Sequence, residues 1–134
     1  TSVSRGLGDV YKRQVMNNGK IEQVGNPYEV FNKPKNEFIA NFVGGHNVIS
    51  KNKKFYSIRM DHIQIINNKK SKNCYPMIVN EIEFQGQIVK VTGISKDFGR
   101  LSVSLGDEIF LKNKFDIDDE IFISWDKTKE NSLI

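Results

Sequence analysis

A mainly β fold is what this sequence predicts: a small strand-built barrel preceded by a β-hairpin and two short helices. Three observations predict it. An Asn-Gly pair joins two strand-like runs near the start. A helix start at Asn26-Pro27 and a stop at Gly44-Gly45 bracket apolar residues at helical spacing. From His46 onward, short β-type runs alternate with turn clusters.

Bulk properties narrow the class. The chain has 134 residues, 38% apolar and 27% charged, which suits a globular protein rather than a disordered one. No run approaches the roughly 20 apolar residues of a membrane-spanning helix. There is no lipidation motif, and the N-terminus lacks the apolar core of a secretory signal. Formal net charge is +4 and the pI is near 9.1. Lys51, Lys53, Lys54, Arg59, Lys69, Lys70 and Lys72 crowd the middle, whereas Asp107, Glu108, Asp116, Asp118, Asp119 and Glu120 crowd the end. Two solvated, oppositely charged surfaces account for this pattern more simply than a nucleic-acid or lipid site. The single cysteine, Cys74, excludes an internal disulfide and fits a reducing compartment.

Residues 1–14 show neither a helical nor an alternating apolar period. Val3, Leu7, Val10 and Tyr11 are scattered among Ser, Gly, Lys and Arg, and the string from Ser2 to Gln14 resembles translated sequencing-adapter DNA. The segment is therefore set aside as a non-native leader and expected to be disordered.

Asn17-Asn18-Gly19-Lys20 tolerates positive φ and lies between Val15-Met16 and Ile21-Glu22-Gln23-Val24, a hairpin signal with Asn18-Gly19 as the central pair. Asn26 can then cap a helix, Pro27 suits the first helical position, and Glu29 completes a capping box. Pro34 ends this helix. A second helix runs from about Asn36, with Phe38, Ile39, Phe42 and Val43 on one side, until Gly44-Gly45 stops it.

After His46 the β-like runs are Lys54–Arg59, Ile63–Ile66, Ile78–Phe84, Ile88–Ile94, Leu101–Leu105, Ile109–Leu111 and Ile121–Trp125. Turn clusters at Asn67–Lys70, Gln85–Gln87, Asp97–Gly99 and Gly106-Asp107 separate them. Closure of so many short strands would remove exposed edges. The expected core is Ile58, Ile63, Ile65, Ile78, Val89, Val91, Leu101, Val103, Leu105, Ile121 and Ile123.

The spaced residues Val15-Met16, Gly19, Ile21, Gln23, Gly25, Pro27, Glu29-Val30-Phe31 and Pro34, then Phe38-Ile39-Ala40, Phe42-Val43-Gly44 and Asn47, resemble one known junction. They look like the end of the nucleotide-binding domain in ABC importer ATPases serving polyamine, ferric-iron and sugar uptake. Asn26 replaces the more usual Thr before Pro27. The later features resemble the TOBE domain, an oligonucleotide-binding (OB) type barrel appended to these ATPases. Ile58-Arg59-Met60-Asp61-His62-Ile63 stands for its Arg-Pro-Glu-x-Ile element, with Met60 for Pro and Asp61 for Glu. Phe84-Gln85-Gly86 stands for its aromatic-x-Gly turn and Ile121–Trp125 for its last strand. On this resemblance, residues 15–45 are the C-terminal remnant of a nucleotide-binding domain and residues 46–134 a TOBE domain.

The resemblance implies an ATP-binding subunit of an ABC importer of the spermidine/putrescine type. The intact parent would use ATP and Mg²⁺, form a homodimer, and sit in the cytoplasm on the inner face of the membrane through permease subunits. This chain would supply the accessory, regulatory and dimerising part, and no nucleic-acid partner is expected.

ATP hydrolysis needs a glycine-rich phosphate loop with Lys and Ser/Thr, a Mg²⁺-holding Asp and groups that position water. No Gly-x-x-x-x-Gly-Lys-Ser/Thr occurs, and residues 1–14, where the family's switch histidine would fall nearby, contain no His. The chain is expected to be inactive alone, with no catalytic, cofactor-binding or metal-binding residues of its own. His46, His62 and Cys74 lack metal-ligand spacing and are assigned surface or strand-edge roles. Asp118-Asp119-Glu120 reads as a solvated turn, and Ser102 and Ser104 as residues facing water. An alternative reading is a freestanding OB-type nucleic-acid-binding module, built on Lys51–Lys72 with Phe55, Tyr56, Phe84 and Phe98 as stacking platforms. A third is small-anion binding, for which no paired anion nest is evident.

Overall fold

Backbone pairing builds three sheets, and the computed structural model describes residues 2–3, 13–17, 19–25, 27–66 and 74–134. The chain divides into two compact units, residues 1–57 with 130–134, and residues 58–129. The first unit takes in most of the two strands that follow the helices.

In the first unit, β1 (Ser2–Val3), β2 (Arg13–Asn17) and β3 (Lys20–Gly25) make one sheet in that order. Asn17 pairs with Lys20, and Gly19 between them has φ of +79°, a left-handed conformation that glycine adopts without strain. Ser2 and Val3 pair with Gln14 and Arg13, which corrects the expected disorder at those four residues. The edge of a hairpin offers unpaired N–H and C=O groups to any extended segment, whatever its side chains. Residues 4–12 and Asn26, the expected cap, lie outside the described residues.

Helix α1 (Pro27–Asn32) begins on the proline. Helix α2 (Glu37–Val43) is capped by Asn36, whose side-chain oxygen accepts from the backbone N–H of Ile39 at 3.0 Å. Gly44 and Gly45, at φ +74° and +72°, end it. Val30 and Ile39 form a small buried cluster with Phe38 against them. Strands β4 (His46–Lys51) and β5 (Lys54–Arg59) follow, joined by Asn52-Lys53 at φ +51° and +65°. Paired positive φ values are what a two-residue hairpin turn requires.

The second unit opens with a 3₁₀ turn at Met60–His62. Its sheet comprises β6 (Gln64–Ile66), β7 (Cys74–Gln85), β8 (Ile88–Ser95), β9 (Gly99–Gly106) and β10 (Glu120–Ser124), antiparallel and in the order β6-β10-β7-β8-β9. The expected barrel closure is not made by strand pairing among the described residues. The 3₁₀ turn lies against edge strand β9 instead, which shields an edge without closing the sheet.

Nine of the expected core residues are buried: Ile58, Ile63, Val89, Val91, Leu101, Val103, Leu105, Ile121 and Ile123. Ile78 is 42% exposed, because Met77 and Val79 are the inward residues of β7. A bulge between Val79 and Glu81 then shifts the register against β8, and with a period of two a one-residue shift exchanges the faces. Ile65, on edge strand β6, is half-buried.

Ile109-Phe110-Leu111, expected as a strand, lies within helix α3 (Asp107–Asn113). Asp107 and Glu108 in the first turn and Lys112 in the last complement the helix dipole. Only Phe110 of the three apolar residues is buried, as a helix presents one face. After a 3₁₀ turn at Lys127–Lys129, strand β11 (Asn131–Ser132) returns to the first unit and pairs with β5, giving the order β11-β5-β4.

Candidate functional site

Four local constructions and one groove are candidates. In the first unit, Gln23 on β3 grips the connection between the two helices. Its amide nitrogen donates to the carbonyl of Lys33 at 3.2 Å, and its amide oxygen accepts from the N–H of Lys35 at 2.9 Å. Pro34 between them is buried. The same carbonyl–proline segment is held from the other end of the chain: the Asn131 side chain donates to the carbonyl of Pro34 at 2.8 Å and to the hydroxyl of Ser57 at 3.0 Å. These bonds fix the helix pair against the hairpin and the second sheet of this unit.

His46, expected at the surface or a strand edge, opens edge strand β4 and is buried there. Its ring lies 5.3 Å from that of Phe31, centroid to centroid, and its Nε2 is within hydrogen-bond reach of the Phe31 carbonyl. The two glycines before it, at positive φ, turn the chain back over α1 and so deliver the ring there. It is a structural histidine.

In the second unit, Arg59 and Asp61 clasp the 3₁₀ turn. Nε donates to Oδ1 at 2.9 Å and Nη2 to Oδ2 at 2.6 Å, a two-point pairing that suits a planar guanidinium. Ile58 and Ile63, on either side, are fully buried. Partial burial pushes the Asp61 carboxyl upward, but the hydrogen bond and charge of Arg59 outweigh it and hold the group below its ordinary value. His62 is lowered by burial and by the charges of Arg59 and Lys129, against an opposing pull from Asp61.

The acidic turn after α3 is internally satisfied. Asp118 sits at φ +75°; its N–H donates to the carbonyl of Val79 at 2.7 Å, and the N–H of Val79 donates to the carbonyl of Asp119 at 2.9 Å. The Asp119 carboxylate accepts from the N–H of Asp116 at 2.8 Å. Among the described residues no group of three or more His, Cys, Asp or Glu is placed to hold a metal ion. Cys74 is a half-buried free thiol.

Residues that suggested a nucleic-acid surface are drawn into other contacts. Lys51 pairs with Glu130 at 2.5 Å, and Arg59 with Asp61. Phe98 joins a cluster with Tyr75 and Trp125, its ring 4.8 Å from the first and 5.6 Å from the second. Lys53, Lys54, Phe55 and Phe84 are exposed, while Lys69, Lys70 and Lys72 lie outside the described residues. Ser102, expected to face water, is buried, with its oxygen 2.9 Å from that of Thr92. A paired hydroxyl can occupy a core position that its residue type alone does not announce.

The sequence did not disclose the groove beside α3. It holds about 680 Å³ and is lined by Ile82, Phe84, Phe110, Leu111, Lys114, Phe115, Asp116, Ile117 and Asp119. Its parts come from β7, α3 and the following loop, which meet where α3 packs on β8 and β9 and where Asp118 bonds to Val79 of β7. The one sequence signal was Phe84, a large ring on a strand end with polar neighbours.

No family model matches the chain. Among curated proteins, the spermidine/putrescine import ATP-binding protein PotA of Bacillus thuringiensis subsp. konkukian is 28% identical over 123 residues, covering 89% of this chain and 37% of that protein. The PotA protein of Clostridium acetobutylicum is 26% identical over 110 residues, covering 80% of this chain and 30% of its own length. That of Desulfitobacterium hafniense is 51% identical over 35 residues, 26% of this chain and 10% of that protein. The chain therefore spans little more than a third of the Bacillus relative. Together with the hairpin, the helix pair and the glycine stop, these matches make the chain similar to the C-terminal region of ABC importer ATP-binding subunits.

Proposed function

We propose that this chain is the C-terminal part of the ATP-binding subunit of an ABC importer for spermidine and putrescine, and that it supplies the subunit's accessory, regulatory and dimerising domain, of TOBE type. The observation that carries the reading is the match over 89% of the chain to a protein named for spermidine/putrescine import. Residues 23 to 47 support it, since the residues of that stretch have definite local roles. Gln23 holds the Pro34 turn, Pro27 starts a helix, and Gly44 ends one.

The residues present do not fit ATP or Mg²⁺. The sequence has no phosphate loop, and among the described residues no acidic or histidine cluster could hold the cation. In this reading, nucleotide and metal belong to the preceding domain of the parent, which pairs with a second copy and docks on permease subunits at the cytoplasmic side of the membrane. No helix among the described residues is long and apolar enough to cross a membrane; in this reading the attachment runs through those subunits.

A chimera tests the reading. Residues 15–134 replace the matching region of the Bacillus thuringiensis protein in a strain that lacks its own spermidine uptake. Labelled spermidine should accumulate at a substantial fraction of the level given by the unaltered protein. A stably expressed chimera that gives uptake no higher than an empty vector would overturn the proposal.

A further inference from the structure

The groove beside α3 draws Asp116 and Asp119 from the acidic turn, but its apolar residues take part in none of the constructions described above. Phe110 and Phe115 form its floor, 8% and 9% exposed, their rings edge-to-face with centroids 5.1 Å apart. Phe84 stands edge-to-face on Phe110, 5.5 Å away, yet is 67% exposed. Leu111 and Ile117 rise beside it at 59% and 54% exposure. Apolar side chains this open, lying together, mark a surface that another molecule covers.

A second hollow of about 410 Å³ adjoins the first and shares Lys114, Phe115 and Asp119 with it, so the two form one furrow. A small ligand would be enclosed over most of its surface, whereas a furrow with apolar crests matches the way an amphipathic helix is received. Charge chooses the kind of helix. Asp116, Asp119 and Glu120 line the furrow, Asp118 is exposed beside them, and Lys114 is the one cation among the described lining residues.

We infer that this furrow is a docking site for an amphipathic helical segment of a partner protein, one with an apolar stripe flanked by Lys or Arg. The stripe sits on Phe84, Leu111 and Ile117 above the Phe110–Phe115 floor. The flanking cations meet the carboxylates of residues 116 to 120. The inference is independent of which solute the proposed importer carries.

The probe is a fluorescein-labelled 16-residue helical peptide of Leu and Lys in amphipathic order, titrated into the full chain and followed by anisotropy. Binding should be saturable and weaken several-fold between about 50 and 200 mM salt, as attraction between exposed charges is screened. Phe84→Ser with Ile117→Ser should weaken it at least tenfold, and Asp116→Lys several-fold; all three side chains are exposed, so the melting curve should stay close to that of the parent chain. Asp116→Lys alone decides the matter if the double variant does not fold. A same-composition peptide in scrambled order that binds equally well would overturn the inference. So would unchanged binding to the variants, or self-association in sedimentation that Phe84→Ser abolishes, since a second copy would then cover the furrow.

Discussion

Gly93 shows how a single missing side chain lets two strands meet. A Cβ placed there would come within 2.5 Å of the Ile78 carbonyl oxygen and 2.7 Å of Met77 Cγ. Neither can retreat easily, since Ile78 pairs with Ile94 and Met77 is buried. Gly93→Ala should therefore destabilise the second unit by about 1–3 kcal/mol, the usual cost of overpacking, read as a lower denaturant midpoint. The Arg59–Asp61 clasp makes a prediction in pH. Asp61 is held below its ordinary value of 3.8 in the folded chain, so its contribution is fully present above that value and is lost as pH falls through the lowered one. His62 acts in the same sense below its ordinary value of 6.5, because the folded chain holds its proton less tightly than the unfolded chain. Acid should weaken the second unit in both windows. Asp61→Asn should flatten the lower one in melting curves, and an unchanged profile would show that the clasp contributes nothing.

Elements with strong local punctuation were legible in the sequence. The tight turn at Gly19, Pro27, the helix start near Asn36 and the Gly44-Gly45 stop each act within a few residues, so the chain's own chemistry announces them. Asn36→Ala should cost about 1 kcal/mol, through loss of the bond to the Ile39 N–H, and should appear as faster amide exchange in α2. Elements decided by distant partners were not legible. Ile109-Phe110-Leu111 is equally a strand run or a piece of helix by pattern, and Phe110 packing on Phe84 and Phe115 decides it. The inward face of β7 depends on a bulge that no residue type signals. Ser102 is buried because Thr92 lies opposite it on β8, a pairing set by register. The candidate furrow belongs to this second kind, since its walls come from segments separated in the chain.

At the scale of the whole molecule, mainly β character was legible from the number of short runs and turns, but the division into units was not. It depends on β11, whose two residues carry no pattern of their own. Four interactions near it tie the first unit: the Asn131 bonds to Pro34 and Ser57, the Leu133 N–H to the Phe55 carbonyl at 2.9 Å, and the Lys51–Glu130 pair. Truncation after Lys129 should lower protection of β4 and β5 in hydrogen exchange while leaving β7 to β9 protected. Equal loss in both sets would mean that the units unfold together.

The return of β11 has a consequence for biosynthesis. On the ribosome, residues 58–129 emerge before Asn131, so the inserted sheet can be complete while the earlier one still lacks its outer strand. Of the two units, the one whose synthesis starts earlier is thus the later to be finished. Until then the backbone of β5 stays open to pairing with a neighbouring nascent chain.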